Sequence, residues 1–334
     1  MATGQGGLIP DRPPRADFFI CDVFDAAPKD DLGSMEHPIF SLSTRPDRRV
    51  LSYVHNGTTL EVTPSVKGRA TIHDKDILIY CISQLMAAVN AGRAISRSLH
   101  LTAHDLLVAT HRDTSGDSYT RLREAFERLA GTRITTNMTA GGFETTRGFG
   151  LIESWEIVRK TRGGRMVSVK VTLSEWLFQA VQSRSVLTLS RDYFRLRKPL
   201  ERRIYELARK HCGRQPEWKV SVATLHKKSG SASPIRVFRA ALRRMIKDAQ
   251  LPGYEMMEEP GDVMRFARPQ VLDTEAAPRF GADVLEEAKR LAPGFDVYAL
   301  EAEWRGFWVT SGKPRLGAPD KAFLGWVKGR AARG

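Results

Sequence analysis

From Pro38 onward the spacing of apolar positions changes several times along the chain, and each change marks an element. Short β-like runs come first, "IFSLST", "RVLSYVH" and "TTLEVTP", broken at Asn56-Gly57, a strong hairpin signal. The period then becomes helical. "KDILIYCISQLMAAVNAGR" carries Ile77, Tyr80, Cys81, Leu85 and Val89 on one face, with Gly92 as a stop. "LTAHDLLVAT" reads as a second helix, with Thr102 and Asp105 spaced as in a capping box. "DSYTRLREAFERLAG" reads as a third, with Tyr119, Leu122, Phe126 and Leu129 facing one way. Beyond Gly131 the period is two again. "TRITTNMT" leads through Gly141-Gly142 to "GFGLIESWEIVRKT", and the "RGGR" turn leads into "MVSVKVTLS".

A shorter copy of that order follows. "PLERRIYELARKHCG" is a helix with Pro199 in its first turn and Gly213 at its end. "VSVATLHKKSG" and "SPIRVFRAALRRMIKDAQ" are two more, and "GYEMMEEPGDVMRFARP" supplies two strands around Pro260-Gly261. Three helices followed by a hairpin is the winged form of the helix-turn-helix, whose third helix fits the DNA major groove. The expected fold class is therefore α+β: two tandem winged-helix domains with a small helical C-terminal tail module. The boundaries read as a flexible arm over 1–36, winged-helix domains over 37–184 and 185–268, a linker over 269–296, and the tail over 297–334. That tail holds three of the chain's six tryptophans, with Leu300, Trp304, Phe307 and Trp308 on one helical face and Phe323 and Trp326 on another.

Charge sharpens this picture. The 334 residues carry a formal net charge of +14. Residues 191–247 hold 17 Lys/Arg against 4 Asp/Glu, a net of +13, so nearly the whole surplus lies in one sixth of the chain. Such segregation points to an acidic partner. In helical projection Arg236, Arg239, Arg243, Arg244 and Lys247 fall within an arc from about −60° to +80°, opposite Val237, Phe238, Ala241, Leu242, Met245 and Ile246. A solvated face would intersperse Glu at i,i+4. This one has no carboxylate before Asp248.

The expected DNA contacts follow from position. Ser231, Ser233 and Arg236 open the third helix of the second unit and reach base edges, and Arg239 and Arg243 pair with guanine O6 and N7. Arg244, Lys247, Lys227, Lys228 and, on the small wing, Arg265 meet phosphates. In the first unit the corresponding helix offers Ser118, Tyr119, Thr120, Arg121 and Arg128, interrupted by Glu124 and Glu127, while Arg123 projects elsewhere as a structural residue. The hairpin tip Arg159, Lys160, Arg162 and Arg165 reads equally well as a backbone clamp and as a merely soluble turn.

Catalytic readings find little to stand on. No GxxxxGK[ST] is present, and Cys21, Cys81 and Cys212 form no CxxC pair. His100 and His104 stand four apart without an obvious third ligand, so no metal or cofactor is expected. His211 and Arg214 form HxxR with Tyr254 forty residues on, loosely as in a tyrosine recombinase, but the other expected arginine is not recognisable. No apolar run approaches the ~18 residues of a membrane span. No secretory signal is visible at the N-terminus, and a cytoplasmic, non-enzymatic protein is expected.

The wording of several segments is family-specific. "LERRIYELARKHCG", "SGSASPIRVFRAALRRMI", "TRGFGLIESWEIV" and "ISRSLHLTAHDLLVATHRDTSGDSYTRLREAFERLAGTRI" resemble the replication initiator protein A family of proteobacterial plasmids, over about residues 38–268. The resemblance implies tandem winged helices that bind repeated sites of double-stranded DNA in a plasmid origin, help open the duplex and recruit host replication proteins. A transcriptional repressor of the same architecture is the rival reading. The tail resembles, more loosely, Trp-rich ends of primosomal proteins. Trp304, Trp308 and Trp326 are then candidate contacts for single-stranded DNA or a host helicase or its loader, the alternative being a mini-domain that packs on the second unit. Self-association stays open, since no dimer interface can be located in the sequence.

Overall fold

The structure, a computed structural model, describes residues 19–21, 26–55, 57–140, 143–159, 166–213, 215–248, 251–268, 277–292, 297–311 and 316–331. The chain divides into two compact units, Met1–Ala267 and Arg268–Gly334.

The first half of the larger unit runs β1 (Phe19–Ile20), β2 (Lys29–Asp31), α1 (Leu32–Glu36), β3 (Leu51–His55), β4 (Thr58–Thr63), α2 (Lys75–Asn90), β5 (Ser98–Leu101), α3 (Ala103–Ala109), α4 (Gly116–Gly131), β6 (Arg133–Ala140), β7 (Phe143–Gly150), β8 (Ile152–Arg159), β9 (Met166–Leu173), α5 (Glu175–Gln182) and β10 (Val186–Thr188). A 3-10 turn over Arg191–Arg195 leads into the second half: α6 (Pro199–Cys212), β11 (Glu217–Ser221), α7 (Val222–Ser229), α8 (Ile235–Asp248), β12 (Glu255–Glu259) and β13 (Val263–Ala267).

One connectivity occurs twice. Helix, strand, helix, helix, strand, strand describes α2-β5-α3-α4-β8-β9 and again α6-β11-α7-α8-β12-β13. In each copy the last strand pairs between the other two, in the orders β5-β9-β8 and β11-β13-β12, all antiparallel. The first copy carries an insertion. β6 and β7 leave α4, join the β3–β4 hairpin in a separate sheet of order β3-β4-β6-β7, and return at Leu151. The single strand expected over "GFGLIESWEIV" is thus two strands in two sheets. The stretch "IFSLST", expected as a strand, makes only an isolated bridge from Ser41 to Thr71.

α2 is the axis of the first core. Every residue from Lys75 to Met86 is buried, so this helix packs all round rather than along one stripe. Thr71 and Asp74 prepare its start by exchanging hydrogen bonds. The Asp74 carboxylate accepts from Thr71 N at 2.8 Å, and Asp74 N donates to Thr71 Oγ1 at 3.2 Å. Of the pair expected before α3, one half forms: Thr102 Oγ1 accepts from Asp105 N at 3.1 Å.

The second core gathers Tyr193, Ile204, Tyr205, Leu207, Leu225, Phe238, Leu242, Met264 and Phe266, together with Met35 of α1 and Ile79 of α2. Residues 29–36, expected as part of a mobile arm, are therefore built into the fold. β2 pairs antiparallel with β10, and α1 packs on α6 with Asp31 as its cap (Ser34 N to Oδ1, 2.7 Å). What holds this strap is ionic. Fully buried Lys75 Nζ lies 2.6 Å from Asp30 and 3.0 Å from Glu206, and Tyr193 donates to Glu206 at 2.7 Å. Arg203 donates to the main-chain oxygens of Ser34, Met35, Glu36 and Lys228. Close by, Asp76 accepts from Arg202 at 2.5 Å and Arg112 at 2.9 Å. Desolvation pushes the Asp30 carboxyl up against the pull of Lys75; at Lys75 burial works to lower the ammonium, but Asp30, Glu206 and Asp31 together raise it.

The smaller unit has its own core. α9 (Ala282–Leu291), α10 (Val297–Thr310) and α11 (Pro319–Ala331) enclose Phe280, Ala288, Leu300, Trp304, Phe323 and Val327. Phe280 stacks on Phe323 (centroids 4.3 Å, 11°), and Trp304 sets its edge against both. The acidic helix expected as linker, residues 282–291, is one of the three packed helices and belongs to this unit, because Ala288 and its neighbours are needed to cover the aromatic cluster.

Candidate nucleic-acid interface

α8 and the β12–β13 hairpin form the candidate face. The turn before α8 is fixed from α7. Ser221 caps α7 through Thr224 N, and Gly230 ends it at φ 70 in the left-handed region. A Cβ on Gly230 would lie 2.6 Å from Pro38 Cβ, so glycine is required there for space as well. His226 Nε2 lies 2.8 Å from Ser233 O, and its ring meets Phe238 edge-on at 4.8 Å. Pro234 O accepts from Val237 N and Phe238 N, opening the helix.

The buried stripe of α8 is Phe238, Leu242 and Met245, spaced i, i+4, i+7, with Ala241 and Ile246 at its margins. Val237, expected in the core, is 48% exposed, and Ile235 is 39% exposed. The packed stripe is narrower than the projected apolar arc because α8 meets α7 and β12 along one line.

The cations divide into two sets. Arg236, Arg244 and Lys247 are exposed, and among the described residues no carboxylate pairs with them. Arg239 and Arg243 are held by the hairpin. Arg239 donates from Nε and Nη2 to Asp262 at 2.9 and 2.8 Å, and Arg243 does the same to Glu258 at 2.8 Å for both bonds. Those bonds hold both carboxyl groups below the usual carboxylate range, so all four groups are charged at neutral pH. On the sheet, Arg265 Nε donates to Glu217 at 2.5 Å, and Lys219 sits 3.0 Å from Glu259. Arg265 is thereby tied to carboxylates rather than open to phosphate.

Two further residues of this set change role. Lys228 is buried, its ammonium paired with Glu36, which also holds Lys210. It ties α7 to α1 and is withdrawn from solvent. Lys227 beside it is exposed, 6.0 Å from the centroid of the Tyr53 ring. Ser233 is exposed and Ser231 half-buried.

On α4 the structure keeps some expected residues at the surface and removes others. Thr120 and Arg121 are exposed, the latter 4.0 Å from Asp117. Ser118 is buried and donates to Asp113 at 3.0 Å, and Tyr119 packs against the first core. Arg128 is a structural residue, paired bidentately with Asp74 at 2.7 and 2.8 Å. Arg123, expected to be the structural one, is exposed beside Glu127. Arg159 ends β8; Lys160, Arg162 and Arg165 lie outside the described residues. In the tail unit Trp304 is 2% exposed and fills the core, so it is no contact residue, while Trp308 and Trp326 are half-buried at the rim.

Sequence reasoning passed over surface cations of the first half. Arg45, Arg48, Lys67, Arg133 and Arg147 are exposed, with Arg48 Nε donating to Val66 O. The run "RPDRR" at 45–49 was the visible signal. The HxxR pattern finds a packing explanation: His211 stacks on Trp218 (4.4 Å, 19°) with Nε2 3.3 Å from Glu36, and Tyr254 meets Tyr205 at 5.9 Å. Arg214 lies outside the described residues. Among the described residues, no group of three His, Cys, Asp or Glu side chains could hold a metal, and no helix is long and apolar enough to cross a membrane.

Comparison with known proteins bears on this geometry. Domains 2 and 3 of RctB share the fold, with a TM-score of 0.53 at 15% identity over 72% of this chain and 96% of that one. A Wigglesworthia glossinidia brevipalpis protein named "Putative replication protein" is 39% identical over 244 residues, covering 72% of this chain and 88% of its own length. The family described as replication initiator protein A matches residues 29–256, a span that includes the strap, the first copy of the repeated connectivity, and the second copy from α6 through α8. The chain belongs to the replication initiator protein A family.

Proposed function

We propose that this chain initiates plasmid replication by binding repeated sites of duplex DNA in an origin, without catalysing a covalent step itself. The two copies of the repeated connectivity act as tandem winged helices, with α4 and α8 as their third, DNA-facing helices and β8–β9 and β12–β13 as wings. The observation that carries the reading is the exposed face of α8, where Arg236, Arg244 and Lys247 stand without carboxylate partners among the described residues, next to Arg239 and Arg243. Arg121 and Thr120 form the weaker counterpart on α4. Duplex opening and recruitment of host replication proteins follow from binding. The tail unit, with Phe307 and Tyr298 largely exposed, supplies the contact to unpaired DNA or a helicase loader.

The test is footprinting on the DNA flanking the gene, paired with replication of an origin fragment when the chain is supplied in trans. Directly repeated protected sites and replication that depends on the chain are expected. Protection confined to a promoter, with replication unaffected, would favour the repressor. Covalent protein–DNA adducts lost in Tyr254→Phe would replace the reading with a recombinase.

A further inference from the structure

We infer that Asp262 and Glu258, on the β12–β13 hairpin, are specificity-determining residues: they aim Arg239 and Arg243 at bases and cancel their attraction for phosphate. This rests on the proposal that α8 reads duplex DNA. Each carboxylate takes the Nε and one Nη2 hydrogen of its arginine. A guanidinium has five N–H donors, so three stay open on each, including the parallel Nη1/Nη2 edge that matches guanine O6 and N7. An arginine gripped along one edge has its long side chain already ordered, which lessens the entropy lost when the other edge meets a base.

Charge completes the argument. Two arginines and two carboxylates sum to zero, so these pairs add no net attraction to a sequence-independent backbone. Arg236, Arg244 and Lys247 are left to supply it. Binding to any duplex depends on net cations at phosphate, whereas readout depends on donor geometry. The carboxylates therefore weaken binding to the wrong DNA more than to the right DNA, as a repulsive element in a specificity device does. The hairpin backbone fits that task. Asp262 stands at φ 60, after Gly261 at φ 84, a conformation that Asp and Asn tolerate better than other side chains, and it places the carboxylate over α8.

The experiment uses the full chain. A duplex selected by the wild-type protein from a random library is one probe, and a scrambled duplex of equal length and composition is the other. Asp262→Asn, Glu258→Gln and their combination are measured on both across salt, with Arg239→Ala/Arg243→Ala alongside. Asn keeps the left-handed backbone accessible, and both substitutions are at solvent-facing pairs, so melting should match wild type. In the double amide variant, affinity for the scrambled duplex should rise about tenfold and its log K against log salt should steepen by about 1 to 2. The ratio of selected to scrambled binding should fall at least about tenfold. An unchanged ratio, or an equal loss on both probes, overturns the role of the carboxylates while the arginine variant still loses the selected duplex. If the selection enriches no sequence, or the arginine variant binds the selected duplex as wild type does, the reading of α8 itself fails, and the inference with it.

Discussion

Arg128 on α4 and Asp74 before α2 meet in a bidentate pair, Nε and Nη2 donating at 2.7 and 2.8 Å, with Asp74 almost fully buried. The pair ties the third helix of the first half to the start of its central helix. Removing one partner strands the other charge, so Arg128→Ala should cost about 3 kcal/mol of stability, read by urea unfolding. Arg121→Ala, at an exposed position, should change stability by less than about 0.5 kcal/mol and instead weaken duplex binding. The reverse pattern would exchange the roles of the two residues.

On α8 the cations without a carboxylate partner among the described residues predict a different signature from those paired with the hairpin. Arg244→Ala and Lys247→Ala should each lower the slope of log K against log salt by about 0.9, and reduce affinity for selected and scrambled duplexes alike. Filter-binding titrations over a salt series read this directly. A change in sequence preference in either variant would place that side chain on a base rather than a phosphate.

How much of this was legible beforehand depends on what held each element. α2, α3, α4, α6, α7 and α8 announced themselves through apolar spacing and caps, and β12 and β13 through the turn at Pro260-Gly261. The strap β2–α1 did not, because "KDDLGSMEH" is polar and its burial depends on Lys75, Glu206 and Arg203 far away in sequence. The same blindness affected the site. Charge counting could not foresee that Lys228 would turn inward to Glu36 or that Asp262 and Glu258 would reach back to α8. Tertiary pairing of charges has no periodicity to read. Nor did the pattern separate β7 from β8, since both strands alternate and only Gly150-Leu151 marks the change of sheet.

Two histidines, His37 just after the strap and His73 just before α2, make stability depend on pH. Burial lowers His37 to about 4, with Glu36 opposing and Lys210, Arg203 and Lys228 adding to the shift. Burial also lowers His73 to about 4, helped by Arg202 and Arg112 and opposed by Asp76. Each histidine is held neutral in the folded chain but takes a proton at about 6.5 when unfolded. At these two side chains the unfolded state therefore binds more protons between these values, and their contribution to stability falls as pH drops from about 6.5 to 4, against the opposite slope of the raised Asp30 carboxyl. The loss is on the order of 2 to 3 kcal/mol per histidine by pH 4. Above pH 7 neither residue contributes a slope. Unfolding midpoints of wild type and His37→Gln/His73→Gln across that range provide the check, and the double variant should show a flatter profile.

The tail unit offers the cleanest separation of packing from contact. Trp304 is 2% exposed, with Phe280 at 5.1 Å and Phe323 at 5.8 Å, both edge-on. Its removal leaves a cavity beside Phe280 and Phe323, in a small core otherwise filled mainly by Leu300, Val327 and alanines. Large-to-small substitution of a core tryptophan costs about 3–5 kcal/mol. A unit this small has about that much stability in all. Trp304→Ala should therefore unfold α9, α10 and α11 locally at room temperature, seen as loss of their amide-exchange protection. Phe307 is 52% exposed, and Phe307→Ala should leave that protection in place. Any defect of Phe307→Ala in binding single-stranded DNA then reports a contact, whereas the same defect in Trp304→Ala reports only an unfolded tail.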